Sequence, residues 1–244
     1  MKTSDAYEKI ILALDRPDAA SAFSLLDQLA GDLVWVKIGL QLFTAEGPSI
    51  VREVISRGHQ VFLDLKFHDI PNTVKKAVAS ARALGVSMTT IHLAGGPAMM
   101  EAAASEAGDM RVLGVTVLTS TKAADLTVVG VAASPEEQVL RLARLGVEHG
   151  IQGLVASPRE VSALRGTLGR ELTLVIPGVR PVGTDAGDQS RIATPAQAIR
   201  DGADYLVIGR PISDAPSPRD AFRGIAEDIA GELQRGLITI DPAR

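Results

Sequence analysis

Residues 60–93, QVFLDLKFHDIPNTVKKAVASARALGVSMTTIHL, carry one strand–helix–strand unit, and its reading decides the fold. Residues 60–65 form a near-continuous apolar run, the pattern of a strand buried on both faces. Beyond Pro71 the period changes. Val74, Ala77, Val78, Ala81 and Leu84 recur at the i, i+3, i+4, i+7 spacing of one helix face. Gly85 stands where that helix must end and the chain turn, and a second apolar run follows at 88–93. Two strands joined through a helix are the building block of a parallel sheet.

The same unit repeats along the chain. Further apolar runs at 10–14, 33–38, 112–118, 153–156, 172–176 and 205–208 bring the number of expected strands to eight. Val139, Leu142 and Ala143 mark another helix face. Ser134-Pro135, Ser157-Pro158 and Thr194-Pro195 each set a capping hydroxyl before a proline suited to the first helical position. Glu160 and Gln197 stand three residues after their caps, as in a capping box. Gly31, Gly58, Gly150 and Gly202 precede strands as Gly85 does. Eight such alternations in 244 residues predict an α/β protein, a closed (β/α)8 TIM barrel, with residues 1–244 as a single domain. A doubly wound open sheet is the alternative, but no G-x-G-x-x-G follows the first strand.

Composition narrows the functional classes. Aromatics are only 3% of residues, so the core must be aliphatic and no base-stacking surface is expected. A net charge of −4 without a basic stripe argues against nucleic-acid binding. The absence of cysteine excludes disulfides, zinc–thiolate sites and thiol nucleophiles. Residues 1–8 are polar and unlike a secretory signal, and no apolar run approaches the roughly 20 residues of a membrane span. A cytoplasmic protein without membrane contact is expected.

In such a barrel, chemistry collects at the C-terminal ends of the strands. Unusual polar residues fall there: Asp15, Lys37, Asp64, Lys66, His92, Thr119, Ser120, Arg180, Gly209 and Arg210. Asp64 and Lys66 are two apart and so share one face of a strand. Burying two ions is costly unless they pair, and a structural ion pair at the barrel mouth is the plain explanation. A second lysine and two further aspartates expected at the same rim favour chemistry instead. Asp69 reads locally as a turn or cap residue, His68 and His92 as structural, and His59 and His149 as surface residues. The four histidines are too scattered for a metal site. The segment 177–189 is long for a strand–helix connection, and Gly178, Gly183 and Gly187 make it a candidate lid. Loops after strands 7 and 8 commonly cradle phosphate, to which Arg210 would add bidentate bonds unless it serves a surface salt bridge.

Eight motifs in order then carry a resemblance. They are LALDRP (12–17), VKIGLQLF (36–43), FLDLKFHDIPNTV (62–74), HLAGG (92–96), VTVLTS (115–120), IPGVRP (176–181), DQSRIATP (188–195) and VIGRPI (207–212). Through them the chain resembles the orotidine 5′-phosphate decarboxylase family from about residue 11 to residue 212. The D-x-K-x-x-D core alone is shared with sugar-phosphate relatives; the full ordered set is far more specific. The resemblance implies cofactor-independent decarboxylation of orotidine 5′-monophosphate to uridine 5′-monophosphate, the last step of de novo pyrimidine nucleotide synthesis. It implies a homodimer with shared sites. Asp15 and Lys37 would meet the ribose, and Lys37, Asp64, Lys66 and Asp69 would form a charged network, with Asp69 given by the partner. Thr73 would also reach across, Thr119 and Ser120 would meet the nucleotide, Gln189, Gly209 and Arg210 would hold the phosphate, and Arg180 would belong to the loop that closes over it. Lys66 would protonate C6. The alternatives are a magnesium-dependent sugar-phosphate decarboxylase or aldolase of the same barrel group, which needs a carboxylate where Lys37 stands, and a non-catalytic phosphate-binding barrel.

Overall fold

A computed structural model of the chain describes residues 3–181 and 193–238. Eight parallel strands run in sequence order and close on themselves. They are β1 (Ile10–Ala13), β2 (Trp35–Gly39), β3 (Gln60–Phe67), β4 (Met88–His92), β5 (Arg111–Val115), β6 (Gly153–Val155), β7 (Thr173–Ile176) and β8 (Tyr205–Ile208). β1 pairs with β8 through Ile11 and Val207, which completes the cylinder. The (β/α)8 barrel is therefore the architecture, and the open sheet is excluded.

Alternation sorts the side chains into two cores. Ile11, Ala13, Trp35, Phe62, Met88, Leu113, Val175 and Val207 fill the inside of the barrel. Residues between them in sequence, such as Leu12, Val36, Leu63 and Leu206, pack outward against the helices. The period of two then dictates what comes next toward the C-terminal rim. After Trp35 it is Lys37, after Phe62 it is Asp64, and after Met88 it is Thr90. The apolar interior thus changes to a polar layer within one step along three adjacent strands.

Helix boundaries largely follow the expected signals. Ser134 caps the helix Pro135–Glu148, its hydroxyl accepting from the Glu137 amide at 3.2 Å. Val139, Leu142 and Ala143 of that helix are buried, as its spacing requires. Thr194 caps Pro195–Asp201 in the same way, but Gln197 does not complete a capping box: its amide turns forward to Asp201 Oδ1 at 2.7 Å. Ser157 opens a single 3-10 turn, Pro158–Glu160, and Glu160 does reach back to its amide at 2.8 Å. Gly202 ends its helix in the left-handed region (φ 110°), which a side chain there would oppose.

Two strands depart from their expected extent. β5 stops at Val115 although the buried run continues through Val117. Its neighbour β6 is three residues long and pairs no further than Val115, so beyond that point no ladder partner exists. β3 runs longer, to Phe67, but its register against β4 slips by two residues between Leu63 and Phe67. This bulge lies at the rim, where such irregularities re-aim side chains.

Candidate active site

The polar layer forms a chain of alternating charge. Lys37 Nζ lies 3.1 Å from Asp15 Oδ1 and 3.9 Å from Asp64 Oδ2. Lys66 Nζ donates to both oxygens of Asp64, each at 2.8 Å. The side chains of Lys37 and Asp64 are 11% and 12% exposed, so these two charges have largely left water. Each has an opposite charge beside it, the condition under which burial is tolerable.

Asp64 and Lys66 meet, but not by simple strand alternation. Lys66 has φ 52°, the one described non-glycine residue with positive φ. A left-handed L-residue costs about 1–2 kcal/mol, and such strain persists where surrounding structure over-determines it. Here the bulge turns the backbone so that the Lys66 ammonium folds back on the carboxylate two residues before it. The Lys66 amide, out of register with β4, donates to Thr90 Oγ1 at 2.8 Å.

Gly39 leaves room for the first pair. A Cβ at this position would stand 2.9 Å from Lys37 Nζ and 3.4 Å from Asp15 Oδ1. The obstructed atom is the tip of a flexible side chain, so Gly39→Ala should fold with a melting temperature near the native value. It should nonetheless displace the Lys37 ammonium and lower turnover at least about tenfold, the scale of one charged hydrogen bond. Native turnover in that variant would show that the position of Lys37 is not critical.

Two adjoining cavities open above this layer. The smaller, about 170 Å³, is lined by Asp64, Lys66 and Lys37 on one side and by Phe62, Val115, Val155, Pro177 and Thr119 elsewhere. It offers apolar walls with charge concentrated at one end. The larger, about 600 Å³, shares Lys37, Pro177 and Val207 with it and extends to Asp15, Arg180, Gly209 and Arg210. Arg180 is buried, its backbone amide bonded to the Ala193 carbonyl at 2.9 Å. Burial, and then repulsion from Arg210, hold its guanidinium below the usual arginine range. Two arginines facing one cavity gain from an anion between them. A further cavity of about 660 Å³ opens at the opposite end of the barrel around Trp35, Arg111 and Tyr205, away from the charged chain.

Asp15, Lys37, Asp64, Lys66, Thr119, Arg180, Gly209 and Arg210 are thus brought together. Asp69, Thr73 and Ser120 are exposed and line neither cavity of their own chain; Asp69 Oδ1 accepts from the next amide, Ile70, at 2.6 Å. Gln189, Gly183 and Gly187 lie outside the described residues.

The histidines take local roles. The rings of His68 and His92 lie 5.5 Å apart. Burial first, then repulsion from His68 and Lys66, lowers the pKa of His92 against the pull of Asp64. A neutral His92 adds no further cation to the rim. His59 and His149 are not free surface groups: both are partly buried, with Nδ1 3.0 Å from the Leu33 carbonyl and 2.8 Å from Glu101 respectively. Among the described residues no three His, Cys, Asp or Glu gather as a metal site.

Three residues join the site without having been singled out in the sequence: Gly39, Thr90 and Arg16. Arg16 donates to the Ser213 carbonyl at 2.6 Å, tying the loop after β1 to the turn that carries Arg210. Its signal was its place next to Asp15; Thr90 shares the inward face of β4 with His92.

Comparison with known proteins gives a consistent result. Residues 8–225 match the model of the orotidine 5'-phosphate decarboxylase / HUMPS family. The chain is 53% identical to the orotidine 5'-phosphate decarboxylase of Anaeromyxobacter sp. (strain K), over 91% of this chain and 98% of that one. It is 51% identical to that of Opitutus terrae, over 90% and 97%. Among solved structures, the orotidine 5'-phosphate decarboxylase from Lactobacillus acidophilus superposes with a TM-score of 0.82 at 32% identity, over 91% of this chain and 99% of that one.

Proposed function

Because the chain belongs to the orotidine 5'-phosphate decarboxylase / HUMPS family, we propose that it converts orotidine 5′-monophosphate to uridine 5′-monophosphate, the closing step of pyrimidine nucleotide synthesis. The observation that carries this reading is the Asp15–Lys37–Asp64–Lys66 chain, which runs from a small, mostly apolar cavity lined by Lys37, Asp64 and Lys66 to an adjoining arginine-bearing one lined by Asp15 and Lys37. The pyrimidine is assigned to the small cavity, the ribose to Asp15 and Lys37, and the phosphate to Arg180, Arg210 and the backbone at Gly209. Thr119 borders the base, and Ser120 and Gln189 are assigned to the pyrimidine and the phosphate.

Loss of carbon dioxide leaves an electron pair at C6, where the ring cannot delocalise it well. The protein's contribution is fixed charge. The substrate carboxylate, set near Asp64, meets an anion already in place. As the C6–carboxylate bond breaks, its electron pair stays on C6, beside the Lys66 ammonium. Lys66 gives that carbon a proton and is left as an amine, to be reprotonated from solvent. The phosphate is far from the reacting bond, yet its binding energy can be used to close loops over the charged site.

The magnesium-dependent alternative is disfavoured by Lys37. That reading needs a carboxylate at this position, and an ammonium held between Asp15 and Asp64 would instead repel a divalent cation. Following the ultraviolet loss of orotidylate, with and without chelator, tests both points: turnover should persist in chelator. No turnover of this substrate in either condition would overturn the reading. Arg210→Ala should raise KM about 10- to 100-fold, the loss of charged hydrogen bonds to phosphate, with a smaller change in kcat. An unchanged KM would move the phosphate elsewhere.

The working form is proposed to be a homodimer, with Asp69 and Thr73 entering the partner's site, located in the cytoplasm. No helix among the described residues is long and apolar enough to cross a membrane.

A further inference from the structure

We infer that Thr90 is a positioning residue for the decarboxylation, its single hydroxyl setting both the Asp64 carboxylate and the backbone from which the Lys66 ammonium folds back. Thr90 is fully buried on the inward face of β4. Its Oγ1 donates to Asp64 Oδ1 at 3.0 Å and accepts from the Lys66 amide at 2.8 Å. One atom therefore touches both members of the pair that the proposed chemistry uses. The hydroxyl proton can go to only one acceptor, and the carboxylate takes it, so the bond's direction is set by the charge.

The need for such a group follows from the bulge. Leu63 stands opposite Thr89, and Phe67 opposite Ile91, so four steps along β3 correspond to two along β4. Regular ladder bonding cannot continue through that interval. Two threonine hydroxyls bracket it instead: Thr89 donates to the Leu63 carbonyl at 3.0 Å, and Thr90 receives the Lys66 amide. The left-handed Lys66 (φ 52°) sits at the second of these bonds. A β-branched residue suits the task because its χ1 is held by the strand, which fixes the hydroxyl before substrate arrives. Valine has the same shape but would leave the Lys66 amide without this acceptor and would leave Asp64 Oδ1 held by the mobile Lys66 ammonium without the fixed hydroxyl.

The inference rests on Asp64 and Lys66 being the reacting pair, so the test carries a control for that reading. Steady-state turnover of orotidylate and equilibrium binding of uridylate are measured for Thr90→Val, Thr90→Ser and Lys66→Ala, with thermal unfolding of each. Thr90→Val should lower kcat about 10- to 100-fold while KM and uridylate affinity stay within about threefold, because the hydrogen bonds lost act on the charged pair and not on the nucleotide. Thr90→Ser, which keeps the hydroxyl and discards the methyl, should recover kcat to within about fivefold of native. A Thr90→Val kcat near native, or Ser and Val variants equally impaired, overturns the positioning role; if Lys66→Ala is inactive in the same series, the reading of the pair stands alone. Should Thr90→Val fail to fold, Thr90→Ala takes its place against Thr90→Ser, with the same expected split.

Discussion

Lys66→Ala should lower turnover by roughly four orders of magnitude or more while uridylate still binds, since both a proton donor and a preorganised charge are lost together. In the native site Asp64 receives two bonds from Lys66 at 2.8 Å, one from Thr90 at 3.0 Å, and has Lys37 at 3.9 Å. Removing Lys66 deletes the closest compensating charge from a carboxylate whose side chain is only 12% exposed. Two consequences follow. The electron pair left on C6 has no nearby acid, so it recaptures carbon dioxide instead of a proton. The substrate's own carboxylate also meets a less neutralised Asp64, so orotidylate should lose affinity more than uridylate, which lacks that group. That contrast separates loss of charge from general collapse of the pocket. Turnover within tenfold of native would remove Lys66 from the proton-donor role.

The barrel was readable because its signals were redundant. The run at 205–208 coincides with β8, and Ser134, Thr194 and Gly202 mark helix ends where the backbone requires caps. Features without a sequence signal have physical causes. β5 stops short because pairing needs a neighbour, and the length of β6 is not written in the residues of β5. The bulge in β3 is silent because lysine is no marker of left-handed backbone, unlike glycine. A strict period of two brings Asp64 and Lys66 together on paper; the chain reaches the same meeting through a register slip. Thr90 carries no signal of its own, since threonine in an apolar run reads as a strand former, and its second use depends on what the adjacent strand places opposite it. Gln197 shows the converse: a correct capping spacing, diverted by Asp201 one turn ahead.

Asp69 and Thr73 present a different case, in which the D-x-K-x-x-D motif is intact but one chain does not assemble it. Both are exposed, Asp69 just before the helix Pro71–Ala83 and Thr73 in its first turn, and neither lines the cavities that hold Asp64 and Lys66. Ile70, next to Asp69 in sequence, is 66% exposed, and Leu40, directly after β2, is 57% exposed. Exposed large apolar side chains near the rim are what a shared interface would cover. If Asp69 completes the partner's network, Lys66→Ala and Asp69→Ala proteins should each be inactive alone and should recover activity when mixed. In a hybrid dimer one site carries both lesions and the other neither. Random exchange makes half of the dimers hybrid, so recovery should approach about a quarter of native activity, as the two-fold symmetry of such an assembly requires. The measurement needs subunit exchange demonstrated independently, for instance by differently tagged chains captured together. Exchange without recovery would return Asp69 to its own chain as a turn residue bonded to Ile70, and would leave the Asp15–Lys37–Asp64–Lys66 chain to act with no charge from a second subunit.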